Sequence, residues 1–305
     1  MRVTVLEAIQ KSTEFLGKKN VESPRLQTEL LLAHLLKMPR MKLYLNFDRA
    51  LSAAETDALR ELVKRRGLRE PLQHIVGSTS FCGIEIAVNR HALIPRPETE
   101  LLAEMGWQFL QQLEREQQQA GTGAAAPSAL DFGTGTGCIA IALAVKCPNA
   151  KIIALDVSAE ALALAKENAA KNSAAEIEFL QGDGLAALNG DGDSRAGRPR
   201  SRFDLIVSNP PYIATAEIAT LEPEVRDFDP RAALDGGPDG LDFYRGLAEQ
   251  AQKFLTADGK IMLEFGEGQA PAIRKIFEDE KWIVEAVRED YSQRARILTA
   301  RAFRP

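Results

Sequence analysis

From Leu130 to the C-terminus the chain repeats one pattern: a short apolar run, a turn, then a helical stretch. "ALDF" passes through a glycine-rich turn into "CIAIALAVKC", which stops at Pro148, and "KIIALD" leads into "AEALALAKENAAKN". "IEFLQGD", "FDLIVSN", "KIMLEFG", "WIVEAVRED" and "RARILTARAF" follow. Apolar runs alternating with helices predict an α/β fold with a parallel, doubly wound sheet. Only a few residues separate the last two runs, too few for a crossover helix, so these two are expected as an antiparallel hairpin at one edge.

The first 70 residues carry no strand pattern. Val5, Ile9, Phe15 and Leu16 fall on one helical stripe, and "SPRLQTELLLAHLLKM" offers Ser23 as an N-cap with Pro24 at the first helical position. "SAAETDALRELVKRR" opens on a capping box, Ser52 with Glu55, and stops at Gly67. Three amphipathic helices suffice for a small bundle. The expected domains are therefore a helical unit over 1–70, a linker with a β-hairpin over 71–95 ("SFCGIEIAVN" alternates about Gly83) and an α/β domain over 96–305. "AGTGAAAPSA" and "NGDGDSRAGRPRSR" read as solvated insertions.

At 305 residues there is enough chain for two cores. A net charge of −5 gives no general electrostatic reason to bind nucleic acid directly. No run approaches the roughly 18 apolar residues of a membrane span, and "MRVTVLEAIQKSTEF" lacks the apolar core of a signal peptide. Cys82, Cys138 and Cys147 are scattered without a CxxC, which predicts a reduced, cytoplasmic protein without structural zinc. His34, His74 and His91 read as packing or surface residues, so no metal is expected.

In a doubly wound sheet, ligands sit beyond the carboxyl ends of the strands. Four features fall there. The turn Gly133-Thr134-Gly135-Thr136-Gly137 has neither the GxGxxG spacing of dinucleotide binders nor the GK[ST] of a P-loop, which favours a ligand without pyrophosphate. Asp156 ends the second strand, where a carboxylate can accept from both hydroxyls of a ribose; alternatively it caps the next helix. In "QGDG", Asp183 can accept from an exocyclic amine of adenine and Gly184 can offer an N–H to a ring nitrogen; alternatively the stretch is a plain turn.

The fourth feature is "NPPY". Pro210 and Pro211 remove two backbone donors, and Asn209 is held extended. The Asn209 side-chain carbonyl and the Pro210 backbone carbonyl are two fixed acceptors for one planar –NH₂, with Tyr212 available to stack on the conjugated group. The lone pair of such a nitrogen is delocalised. Two acceptors orient it toward an electrophile and favour the positive charge that grows on it. An adenosine-like ligand without pyrophosphate, facing a conjugated –NH₂, fits S-adenosylmethionine.

These residues resemble the HemK/PrmC family of bacterial release factor glutamine methyltransferases over nearly the whole chain. "SPRLQTELLLAHLL", "REPLQHIVGSTSFCG", "LIPRPETE", "LDFGTGTGCIAIALA", "IVSNPPYI", "DPRAALDGGPDGLDFYR" and "LEFGEGQ" occur in the family's order. The resemblance implies a Rossmann-like class I S-adenosylmethionine-dependent methyltransferase domain behind a helical docking domain. It implies methylation of the side-chain amide of the glutamine in the Gly-Gly-Gln motif of class I peptide chain release factors. It also implies cofactor contacts from Gly133 to Gly137, Asp156, Asp183 and Asn209, with Asn209 to Tyr212 holding the glutamine. Two positions depart from the pattern: Gly184, where some members carry an aromatic, and "DYSQRAR", which lacks a glycine common before the final arginine.

NPPY alone is shared with adenine-amino DNA methyltransferases and some ribosomal RNA methyltransferases. A DNA enzyme would add a basic target-recognition region. Here the extra domain is small and helical; its last helix ("RELVKRRGLR") is basic, but the chain is acidic. A nearer rival is the sister family that methylates a glutamine of a large-subunit ribosomal protein; the helical N-terminal domain favours release factors.

Overall fold

The computed structural model describes residues 3–120, 125–189 and 202–303. The insertion beginning at Ala120 lies partly outside these residues, and the one beginning at Asn189 almost wholly so. The chain divides into two compact units: Met1–Ser78 with Leu221–Phe228, and Thr79–Thr220 with Asp229–Pro305.

The first unit is helical: Val5–Lys18, Pro24–Leu35, Arg40–Tyr44, Ala53–Gly67 and Leu72–Val76, with one further turn at Pro223–Arg226. Its core gathers Val5, Ile9, Leu16, Leu31, Leu32, Leu43, Leu59 and Val63. Phe15, from the same predicted stripe, is 40% exposed; its ring covers Gly67, where a Cβ would come within 2.6 Å of it. The Ser52–Glu55 capping box forms as expected, and Thr4–Glu7 forms a second. Ser23 does not cap. It sits in the left-handed region at φ 47° instead of the extended region an N-cap uses, and makes no side-chain cap bond. The two five-residue helices escape periodicity because each is barely one turn long, and each begins just after a proline, Pro39 or Pro71.

Strands β1 (Ser78–Phe81) and β2 (Ile84–Ala87) make the hairpin about Cys82-Gly83. The main sheet has seven strands: β3 (Ser128–Phe132), β4 (Lys151–Asp156), β5 (Glu178–Gln181), β6 (Phe203–Ser208), β7 (Leu255–Glu264), β8 (Trp282–Glu289) and β9 (Ala295–Ala302). Their order is β5-β4-β3-β6-β7-β9-β8. The first five are parallel; β9 pairs antiparallel with β7 on one side and with β8 on the other, so the predicted edge hairpin is present.

Side-chain alternation sends successive residues to opposite faces. Ala129, Leu205, Val207 and Met262 join the core with Ile139, Ile141 and Leu102. Leu130, Ile206, Ile261 and Leu263 join the other, with Tyr244, Ile273 and Phe277. Both faces are therefore covered, as a parallel sheet requires. The chain runs outward from β3 through β4 to β5 and then returns to β6 on the other side of β3. That reversal opens a crevice at the carboxyl ends of β3 and β6, the place where doubly wound sheets take ligands.

Candidate active site

The glycine turn is built by its backbone. Gly133, Gly135 and Gly137 all hold positive φ (72°, 55° and 81°), a conformation that side-chain-bearing residues pay for. Gly133 and Thr134 donate their N–H groups to the Leu155 carbonyl at 2.8 and 3.0 Å, folding the turn over the end of β4. Gly137 begins the helix Cys138–Lys146, and a Cβ there would stand 3.0 Å from that of Ala165. Its bareness lets this helix approach the helix Ala159–Lys171 closely.

Asp131, a residue the sequence reading did not single out, anchors the turn from beneath. It is fully buried, and its Oδ2 accepts from Thr134 Oγ1 at 2.6 Å and from the Ala140 N–H at 3.1 Å. Burial pushes its carboxyl up to about 7; the bonds from Thr134 and Ala140 oppose that rise, and the nearby Asp156 adds to it. The signal was present as an acidic residue inside the apolar run "ALDF".

Asp156 does not cap the following helix. Ser158 does, its Oγ accepting from the Ala161 N–H at 3.1 Å. Asp156 instead ties the site together: Oδ2 accepts from the Gly135 N–H at 2.8 Å and Oδ1 from the Ser158 N–H at 2.9 Å. Each carboxylate oxygen keeps a further lone pair. Beyond β5, Gly184 has positive φ (69°), and a Cβ there would meet nothing within 4 Å among the described residues.

The Asn209-Pro210-Pro211-Tyr212 turn leaves the end of β6 and is pinned from several sides. Ser208 Oγ donates to the Phe132 carbonyl at 2.6 Å, tying β6 to β3. Asn209 Nδ2 donates to Thr99 Oγ1 at 3.1 Å, which leaves Oδ1 as the free acceptor of that amide. Gln269 Nε2 donates to the Tyr212 carbonyl at 2.9 Å. Ile213 exchanges backbone bonds with Leu234 and Gly236 at 3.0 and 2.8 Å. Among the described residues no backbone donor is given to the Pro210 carbonyl.

One cavity of about 320 Å³ collects these groups. Gly133, Thr134, Gly135, Thr136, Asp156, Asp183, Gly184, Asn209, Pro210 and Pro211 all line it. Gly137 and Tyr212 are not in its lining; the Tyr212 ring lies where a Cβ on Gly266 would come within 3.0 Å of it. The cavity also takes in residues that sequence reading missed, among them His91, Arg96, Thr99, Pro230 and Phe243. Arg96 is held by an ion pair at 2.6 Å to Asp229, whose side chain is buried. A smaller hollow of about 210 Å³ continues past Gly184 along Phe132, Asp242, Phe243 and Gly246.

Comparison with known proteins places this architecture. Residues 7–77 match the PrmC N-terminal domain, and residues 109–222 the methyltransferase small domain. A release factor glutamine methyltransferase of Geobacter sulfurreducens is 42% identical over 90% of this chain and 88% of its own. Another, of Chlorobaculum tepidum, is 39% identical over 98% of this chain and 97% of its own. Among solved structures, a human methyltransferase 10 domain containing protein superposes with a TM-score of 0.50 at 18% identity, covering 73% of this chain and 90% of that one. At that identity the likeness concerns the fold alone.

Proposed function

The chain belongs to the family of release factor glutamine methyltransferases, and we propose that the cavity at the ends of β3, β4, β5 and β6 is its active site. It is an S-adenosylmethionine-dependent protein-glutamine methyltransferase with a Rossmann-like catalytic fold. The proposed target is the glutamine of the Gly-Gly-Gln motif in class I peptide chain release factors, met in the cytoplasm. Among the described residues no helix is long and apolar enough to cross a membrane.

The residues present fit the cofactor. Asp156 has one backbone N–H on each oxygen and a lone pair on each to spare, which suits the two hydroxyls of a ribose. Open space beside Gly184 leaves room for a flat purine, with Asp183 on the same wall. Gly133 to Gly137 would let the ligand approach the backbone closely. When bound, S-adenosylmethionine supplies a methyl group already made electrophilic by its sulfonium.

The chain's own residues then have to make an amide nitrogen behave as a nucleophile. Asn209 Oδ1 and the Pro210 carbonyl accept the two hydrogens of the glutamine –NH₂, orient its lone pair and favour positive charge on the nitrogen. Two prolines fix the spacing of these acceptors before the substrate arrives, so little reorganisation is needed. Asn209, Pro210 and Pro211 therefore form the glutamine-holding wall, and Tyr212, whose ring packs by Gly266 outside the cavity lining, holds the turn behind them.

The observation that carries this reading is the bond from Asn209 Nδ2 to Thr99, which leaves the carbonyl oxygen of Asn209 free in the wall that also holds Asp156. Asn209→Ala is expected to slow single-turnover methylation of release factor by about 10²–10³-fold, the usual cost of deleting one preorganised donor or acceptor. Calorimetric affinity for S-adenosylmethionine should change far less. A near-normal rate would remove Asn209 from the chemistry.

A further inference from the structure

Behind Asn209 lie a buried threonine and a buried carboxylate. Glu264 closes β7 with 2% of its surface exposed, and its Oε2 has no hydrogen-bond partner among the described residues. Thr99, 3% exposed, stands in the first turn of the helix Pro97–Ala120 and accepts the Asn209 Nδ2 hydrogen. Burial pushes the Glu264 carboxyl up to about 7, while Thr99, Arg296 and Asn209 act to lower it and Glu98 to raise it. β6 and β7 run side by side with Ser208 opposite Leu263, so Asn209 and Glu264 follow on neighbouring strands, and the unpaired Oε2 is an acceptor open to the polar side chains beside it. A threonine hydroxyl has a single hydrogen, and an ionised carboxylate can only accept. A Thr99 hydroxyl hydrogen turned toward Glu264 leaves the oxygen as acceptor toward Asn209, which is the direction of the 3.1 Å bond. The asparagine amide, which is nearly symmetric in shape, is then held with –NH₂ inward and carbonyl outward.

We propose that Glu264 and Thr99 are positioning residues that fix the direction of the Asn209 amide, so that its oxygen, and not its nitrogen, meets the substrate –NH₂. The proposal rests on the active-site reading given above. Without these two residues the amide can turn over and present two donors to a donor, which loses one of the two acceptors that orient the nucleophile. Neither residue needs to touch substrate for this. A protonated Glu264 can itself donate, and so loses its command of the Thr99 hydroxyl. The charged and titratable groups facing Glu264 are Glu98 from the helix Pro97–Ala120, Arg296 from β9 and Tyr212 from the catalytic turn, with Tyr244 donating to the Glu264 backbone carbonyl at 2.8 Å.

The test compares the full-length enzyme with Glu264→Gln, Thr99→Val, Thr99→Ser and Asn209→Ala. It uses single-turnover methylation of release factor across pH 6–9, calorimetric binding of S-adenosylmethionine, and thermal melts. Glu264→Gln and Thr99→Val should each slow turnover by about 10–100-fold, the scale of a misaligned reactant, with cofactor affinity within about threefold. Thr99→Ser, which keeps the hydroxyl, should recover most of the loss seen in Thr99→Val. The wild-type rate should rise with pH through about 7, and that rise should be missing in Glu264→Gln. If Asn209→Ala is slow while Glu264→Gln and Thr99→Val turn over normally, the positioning role is overturned and the active-site reading stands. If all three are normal, the active-site reading itself fails. Should Glu264→Gln not fold, the Thr99 pair decides: Val at the wild-type rate, or Ser as slow as Val, overturns the proposal.

Discussion

Replacing Asp156 by alanine separates its two jobs. Its carboxylate accepts from the Gly135 and Ser158 N–H groups at 2.8 and 2.9 Å, and the proposed cofactor adds two ribose hydroxyls to the same oxygens. Hydrogen bonds to a charged acceptor are worth about 1.5–3 kcal/mol, so loss of the ribose contacts should weaken S-adenosylmethionine binding roughly 10–150-fold. The two N–H groups lose their acceptor in the same stroke. They are only partly buried and water can reach them, so the stability cost should stay near about 1–2 kcal/mol. These bonds form before chemistry, and saturating cofactor should therefore restore most of the single-turnover rate. Calorimetry, a thermal melt and rates at rising cofactor concentration measure the three quantities separately. If the enzyme melts lower but binds cofactor with unchanged affinity, Asp156 is only the clamp that holds the glycine turn, and the ribose assignment is wrong.

Asp131 makes stability depend on pH. Its folded-state carboxyl sits near 7 against an ordinary 3.8, so the folded protein binds that proton more tightly than the unfolded chain, and the stability it contributes is lost as pH rises between those values. Asp131→Asn keeps an oxygen for Thr134 and Ala140, so it should melt at or above wild type at pH 8 and lose that advantage on acidification; parallel melting curves at every pH would refute this. Ser52→Ala should cost the helical unit about 1 kcal/mol in denaturant unfolding, whereas Ser23→Ala should be close to neutral because Ser23 makes no cap bond. In the same unit Arg66, its side chain 4% exposed, pairs with Glu224 at 2.6 Å, so Glu224→Ala should destabilise by about 3 kcal/mol; an unchanged melting profile would mean that Gln27 and the Glu70 carbonyl satisfy Arg66 alone.

The parallel strands were legible because each carries its own signal, an apolar run closed within two residues by Gly, Asp or Asn, and much of the cavity lining followed because these closing residues collect where those strands end. What stayed hidden lies between elements. Thr99 reads as an ordinary first-turn threonine and Glu264 as the end of an apolar strand; only the reversal between β3 and β6 brings the helix Pro97–Ala120 and β7 to the two sides of Asn209. His91, Pro230 and Phe243 reach the cavity through loops whose paths leave no periodic trace. Ser23 shows the opposite failure, a correct residue type in a backbone conformation that local sequence does not announce. The segment Leu221–Phe228 belongs with the helical unit although more than a hundred residues of chain separate it from Ser78. Its Glu224 gave no hint of the buried Arg66 that it serves.

If Asn209 and Pro210 hold a side-chain amide for methylation in this cavity, the label must land on an amide nitrogen. The most direct measurement incubates the enzyme with labelled S-adenosylmethionine and, in parallel, a purified class I release factor, ribosomal subunits and duplex DNA, then maps the label by peptide mass spectrometry. Label is expected on the release factor alone, as one methyl on the side-chain nitrogen of the Gly-Gly-Gln glutamine. Label on a ribosomal protein or on adenine, with the release factor unmodified, would contradict it.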